Sequence, residues 1–306
     1  MIRRLFGFVL VIHLALFAPI VFAMDSTNYQ IRWDSVNSGG VDRASSTNYS
    51  LRDTIGEQGT GFSSSTIYTI SAGYRVGDQD QNSLTFSLGT QENSSRVAYT
   101  AFSSSTKTVT VSAIGVLAVG DLIAVVENEG LSQNVAVGRI FSINGLILTL
   151  DQWDGAASIV SATPAGGDDW VFRLGGNVAD LGILSTSIGK TAVTATTISS
   201  NAQNGYRVSV HDDGYLRYAT STFISPVSDG TVTIGSEEYG AAVFGATASS
   251  TGSDFGFSST TARIIQENAT ETLLDRVVLV YKAAIASATA AGNYSHVVYY
   301  EVTANY

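Results

Sequence analysis

Of the three histidines, His13 lies in an apolar N-terminal run, which leaves His211 and His296 to move protons or hold a metal near neutral pH. His211 stands in "VHDDG" beside Asp212 and Asp213, and no third His or Glu follows at ligand spacing. The segment reads as a strand end and turn with both aspartates in water. His296 alternates with Tyr294 and Val298 and reads as structural. Carboxylate pairs occur at Asp168-Asp169 and Glu237-Glu238, but neighbours on a strand point to opposite faces and cannot flank one bond. Asp78, Asp80 and Asn82 have the alternate spacing of a calcium loop without its central Gly and distal Glu, so they read as a solvated linker. No Gly-x-Ser-x-Gly elbow is present. This inventory predicts no enzyme, no metal and no cofactor.

The chemistry that remains is stacking and hydrogen bonding by aromatic rings. Trp153 and Trp170 could line a sugar-binding surface, although tryptophans of small β domains more often serve as core or rim. Tyr206 and Tyr300 are the other candidates for ligand contact, each inside an alternating strand that favours a core role.

The elements that position these residues are strands. Charged residues make up only 14% of the chain, lysine occurs at 107, 190 and 282 alone, and Thr, Ser, Val, Ile, Tyr and Gly are abundant. "VVYYEVTANY" at 297–306 sets Val298, Tyr300, Val302 and Ala304 on one face. Breaks such as "SINGLIL" and "HDDGYL" recur at short intervals, and no long segment carries a capped helical stripe. In "SINGLIL", Asn-Gly is the expected two-residue hairpin turn. The fold class is all-β.

"MIRR", the apolar run from Leu5 and "PIVFA" make residues 1–23 a secretory signal cleaved after Ala23, unless retained as an anchor. No further run predicts a transmembrane helix, so no stable membrane insertion is expected after cleavage. Cysteine is absent, which excludes a disulfide framework. A net charge of −10 disfavours nucleic acid and anionic lipid as partners.

Three near-copies, "STNYQI" at 26–31, "STNYSL" at 46–51 and "STIYTI" at 65–70, place a tyrosine two residues before an aliphatic side chain. They predict a three-strand β repeat module over 24–80. Its longer phrase, ending in "SAGYR", resembles a repeat of bacterial surface and secreted proteins. The block 97–174, with "VGD" followed by "VGRIFSINGLILTLD", resembles the small SH3-like or RIFT-like barrels inserted in surface and phage proteins.

The last third, "VADLGILSTSIGKTAVTATTISSNAQNGYRVSVHDDGYL" and "LLDRVVLVYKAAIASATAAGNYSHVVYYEVTANY", resembles the WxL-like cell-surface β-sandwich of bacteria. The matching positions are Asn201, Gly205, Tyr206 and Val208, then Asp275, then Ala291, Gly292 and Tyr294, then Tyr300 and Val302. Tyr206-Arg207-Val208 and Tyr300-Glu301-Val302 stand where the family has Trp-x-Leu. The resemblance implies a discontinuous antiparallel sandwich over 82–306, begun by 82–96, interrupted by the barrel at 97–174 and completed by 175–306, with "NVADLGILS" as the re-entering strand. It also implies an exported cell-surface protein whose partners are cell-wall glycan or other surface proteins. Self-association into an array, filament or adhesin is the alternative. An outer-membrane barrel is a third reading, because the chain ends in an aromatic residue after alternating apolar positions.

Overall fold

The computed structural model describes residues 83–249 and 252–306, together with the backbone of four strands between 39 and 72. The chain divides into two compact units, 1–81 and 82–306. The signal segment, the first copy at 26–31 and the linker residues Asp78–Asn82 lie outside the described residues. In the first unit, β1 (Gly39–Ser45) pairs antiparallel with β2 (Ser50–Ile55), and β3 (Gly61–Ser64) with β4 (Thr69–Ala72). The second and third copies therefore run into β2 and β4, and each of these strands pairs with the segment before it.

The second unit begins with β5 (Leu84–Gln91), which joins a long mixed sheet by pairing with β13 (Lys190–Ser200). β13 pairs with β19 (Thr272–Ala284), and β19 with β17 (Glu238–Phe244). Beyond β17 come β16 (Thr222–Pro226), in parallel, and β15 (Leu216–Ala219). A second sheet has the order β18 (Arg263–Asn268), β14 (Tyr206–Asp212), β20 (Val298–Ala304). The two sheets enclose one core that contains Tyr206, Val208 and Val210 of β14 and Val277, Leu279 and Tyr281 of β19. This is the expected sandwich, and β20 has the alternating burial its sequence requires.

Between β5 and β13 the chain closes a separate ring. β6 (Val97–Ser103) pairs with β7 (Thr108–Val111), β7 with β10 (Ile147–Leu150) and β10 with β9 (Asn134–Asn144). β9 then pairs with β8 (Leu122–Glu127), β8 with β12 (Trp170–Gly175), and β12 returns to β6. A short β11 (Asp154–Gly155) lies on β9. Tyr99, Phe102, Val109, Ile123, Ile140 and Leu148 help fill the ring, so it is a packed barrel and not a pore. The end of β12 also pairs with β5, which ties the barrel to the sandwich sheet.

The barrel wall packs on the outer face of that sheet. Leu122, Ala124, Val126, Val135, Val137, Phe172 and Leu174 meet Val193, Ala195, Val278 and Val280. The β5–β13–β19–β17 sheet is thus the middle of three layers, which explains why "TAVTATT" and "RVVLVYKAA" are buried on both faces. "LIAVVE" in β8 is buried throughout for the same reason, with Ile123 and Val125 inside the ring and Leu122, Ala124 and Val126 outside it. The outer-membrane reading finds no counterpart among the described residues: the one closed ring is small, filled and packed on a sheet. No helix among them is long and apolar enough to cross a membrane.

Two local expectations are corrected. The re-entering strand is β13, "KTAVTATTISS", and not "NVADLGILS". In the latter, the Asp180 carboxylate accepts the Gly182 N–H at 2.8 Å to make a turn, and Ile183 points into solvent. In "SINGLIL", Asn144 pairs with Ile147, so the two-residue loop is Gly145-Leu146. Gly145 has a φ of +60° at the first loop position, a place that favours glycine, and Asn144 stays in the strand.

Candidate functional site

The four aromatic residues singled out by the sequence go to separate places. Trp153 sits half-buried at the barrel interior, its ring 4.8 Å from Phe102 and its Nε1 donating to the Ser103 carbonyl at 3.2 Å. Trp170, on β12, packs against the barrel–sheet interface, and the Arg96 guanidinium lies 3.6 Å above its ring. Tyr206 is fully buried on β14. Tyr300, on β20, is half-buried and directs its hydroxyl to that of Tyr281 at 2.6 Å. Tyr206 and Tyr300 share the sandwich core, and neither tryptophan does.

Around Tyr206 the polar groups form a network. Its hydroxyl donates to Asp275 Oδ2 at 2.7 Å and accepts from Gln266 Nε2 at 2.7 Å. Gln266 Oε1 accepts from Thr196 Oγ1 at 2.7 Å, and Thr247 Oγ1 and Asn268 Nδ2 complete the shell of Asp275. Burial and the neighbouring Asp275 carboxylate hold the Tyr206 phenol well above its ordinary pKa, which keeps it a donor. Of the matched motif residues, Tyr206 and Asp275 thus touch directly, inside the fold.

Beside the histidines, one aspartate departs from expectation. Asp212 is buried, not solvated, with its Oδ2 3.6 Å from His296 Nδ1. The same nitrogen lies 3.1 Å from the Gly214 carbonyl, and His296 Nε2 lies 2.7 Å from the Tyr239 hydroxyl. Burial raises the phenols of Tyr239 and Tyr300, and pushes Tyr281 up to about 12 against the opposing Tyr300 hydrogen bond. Asp169 is spent on the backbone N–H groups of Asn128 and Gly166, and Glu237 and Glu238 bind different loops. The described residues contain no group of three His, Cys, Asp or Glu arranged to hold a metal.

What the sequence reading missed is an aromatic rim at the far end of β14 and β20. Tyr215, Tyr218 and Tyr299 stay 49%, 57% and 48% exposed. Tyr215 lies 4.6 Å from Phe223, Tyr218 lies 6.2 Å from Tyr294, and Tyr299 stacks on His211 at 5.0 Å. Antiparallel bonds between Arg217 and Ser295 bring the two segments together. Arg217 also pairs with Asp213 at 2.7 Å, and Asp213 accepts the Val297 N–H at 3.0 Å. The Arg217 hydrogen bond, followed by the Val297 N–H, holds the exposed Asp213 carboxyl below the ordinary range. Gly292 lies against the face of Tyr218, where a Cβ would meet the ring. The signal in the sequence was "YLRYATSTF" at 215–223, whose rings are spread around a short hairpin and follow no single strand period.

Half-exposed rings with fixed polar groups between them can stack on the C–H faces of sugar rings and bond their hydroxyls. At the opposite end of the sheet, an open groove lined by Ser83, Ser199, Asn201, Glu271 and Thr272 lacks such rings. Comparison with family models, curated proteins and solved structures finds no match to this chain.

Proposed function

We propose that the protein is an exported, non-enzymatic surface protein of bacteria that attaches non-covalently to envelope glycan through the rim formed by Tyr215, Tyr218, Phe223, Tyr294 and Tyr299. The supporting observation is the exposure of Tyr215, Tyr218 and Tyr299, with Phe223 and Tyr294 half-buried beside them, among described residues whose other aromatic side chains mostly fill cores. The resemblance of 178–306 to the WxL-like sandwich points the same way, and the signal-like N-terminus supplies the route outward. In this reading Tyr206 and Tyr300 stabilise the sandwich and the rim does the binding.

The test is co-sedimentation of purified 24–306 with insoluble peptidoglycan. The wild type pellets, and Tyr218→Ala with Tyr299→Ala lowers retention at least about tenfold, a loss of about 1.4 kcal/mol. Unchanged retention in that variant removes the rim from the proposal. A second reading has copies pairing edge to edge, because β20 pairs with β14 on one side only. It predicts pelleting of the protein alone, without wall.

A further inference from the structure

Away from the rim, Lys282 and Asp254 form a closed pair. Lys282 lies on β19, opposite Thr191 of β13 and Gly240 of β17. Asp254 follows β17, held by its own N–H to the Gly230 carbonyl at 2.9 Å and by the two bonds of the adjoining Phe255–Ala241 bridge. The side chains keep only 10% and 4% of their exposure. The apolar cluster of Val227, Val232 and Ala284, with Leu131 against it, adjoins them. Nζ touches Oδ1 at 2.7 Å, yet Oδ1 accepts no hydrogen bond, so the contact is close without hydrogen-bond geometry. Oδ2 accepts the Val232 N–H at 2.8 Å.

We infer that Lys282 and Asp254 condense in the folded protein to an isopeptide bond between Nζ and Cγ. The ammonium passes one proton to Oδ1, and the freed lone pair of Nζ adds to Cγ. The C=O π pair moves to Oδ2, where the Val232 N–H already stands to stabilise the developing charge. A second proton moves from Nζ to the Oδ1 hydroxyl, the Cγ–Oδ1 bond breaks, and Oδ1 leaves as water. The amide keeps one N–H, and no oxidant, reductant or metal is needed. Fixed contact between the reacting groups supplies the entropic advantage of an intramolecular reaction. Replacing a buried ion pair by a neutral amide also removes the desolvation penalty of two charges. The product staples the segment after β17 to the central strand β19.

Mass spectrometry of the denatured wild-type protein tests this. The expected mass is one water below that of the chain from its measured N-terminus. Trypsin is expected to leave peptide 218–263 attached to 277–306, with cleavage after Lys282 blocked. Asp254→Ala restores the full mass, and Asp254→Asn loses ammonia in place of water. A wild-type mass with no water lost, or water lost with normal cleavage after Lys282, overturns the proposal. The wild-type measurement decides even where a variant fails to fold.

Discussion

At Tyr206, a single hydroxyl satisfies Asp275 and Gln266 at once, and both would be left with a missing partner in its absence. Tyr206→Phe keeps the ring volume and removes that oxygen, so it is expected to cost about 1–3 kcal/mol in urea unfolding. Its effect on glycan retention should be small, because the residue is buried. Arg276 is the second residue on which much depends. Its guanidinium is fully buried on the outer face of β19 and meets Asp151 Oδ2 at 2.5 Å and Asp154 Oδ2 at 3.2 Å. Burial raises both carboxyls. For Asp151, the Arg276 bonds and the N–H groups of Arg139 and Gln152 reverse that and bring it below its ordinary pKa, whereas Asp154 stays above. A depressed folded pKa gives Asp151 a contribution present above its unfolded value and lost as acid protonates the folded form. Asp154 works in the opposite sense and loses a penalty in acid. The wild type's advantage over Asp151→Asn is therefore full at neutral pH and shrinks below the ordinary carboxylate range. Arg276→Met is expected to cost about 3 kcal/mol, since it leaves both carboxylates without their cation.

Among the elements, the start of β14 shows why the Gly-aromatic pair of the motif is a structural unit. Gly205 has a φ of +72° and lies against the Asn268 carbonyl, where a Cβ would collide with the oxygen. Gly205→Ala therefore combines strain and clash, and is expected to cost at least about 2 kcal/mol and to unseat Tyr206 from Asp275. Calorimetry of the variant checks this. Alternation in "VVYYEVTANY" was enough to assign the faces of β20, because one side of that strand is in water. The doubly buried β13 gave no alternation to read, since sheet packs on one face and barrel on the other. In "NVADLGILS", Ala179, Leu181 and Leu184 bury only partly against the sandwich core while Val178 and Ile183 stay in solvent, and the Asp180–Gly182 turn makes the segment a loop.

For the whole molecule, the three-layer arrangement makes barrel and sandwich depend on one another. Replacing 97–169 by a short linker would bare Val193, Ala195, Val278 and Val280 and strand Arg276. That deletion is expected to yield protein that binds hydrophobic dyes and self-associates, and a monomeric, dye-silent product would show the interface to be dispensable. Composition, strand period and turn residues were sufficient by themselves for the β class, because it depends on local alternation and on which residues can turn, whereas the barrel and the sandwich were expected from resemblance to known domains. The buried Asp212, the Tyr206–Asp275 contact, the Lys282–Asp254 pair and the exposed rim were settled only when strands far apart in sequence were laid side by side. Such contacts depend on register and on what covers each face, and residues separated by dozens of positions carry no periodic trace of either.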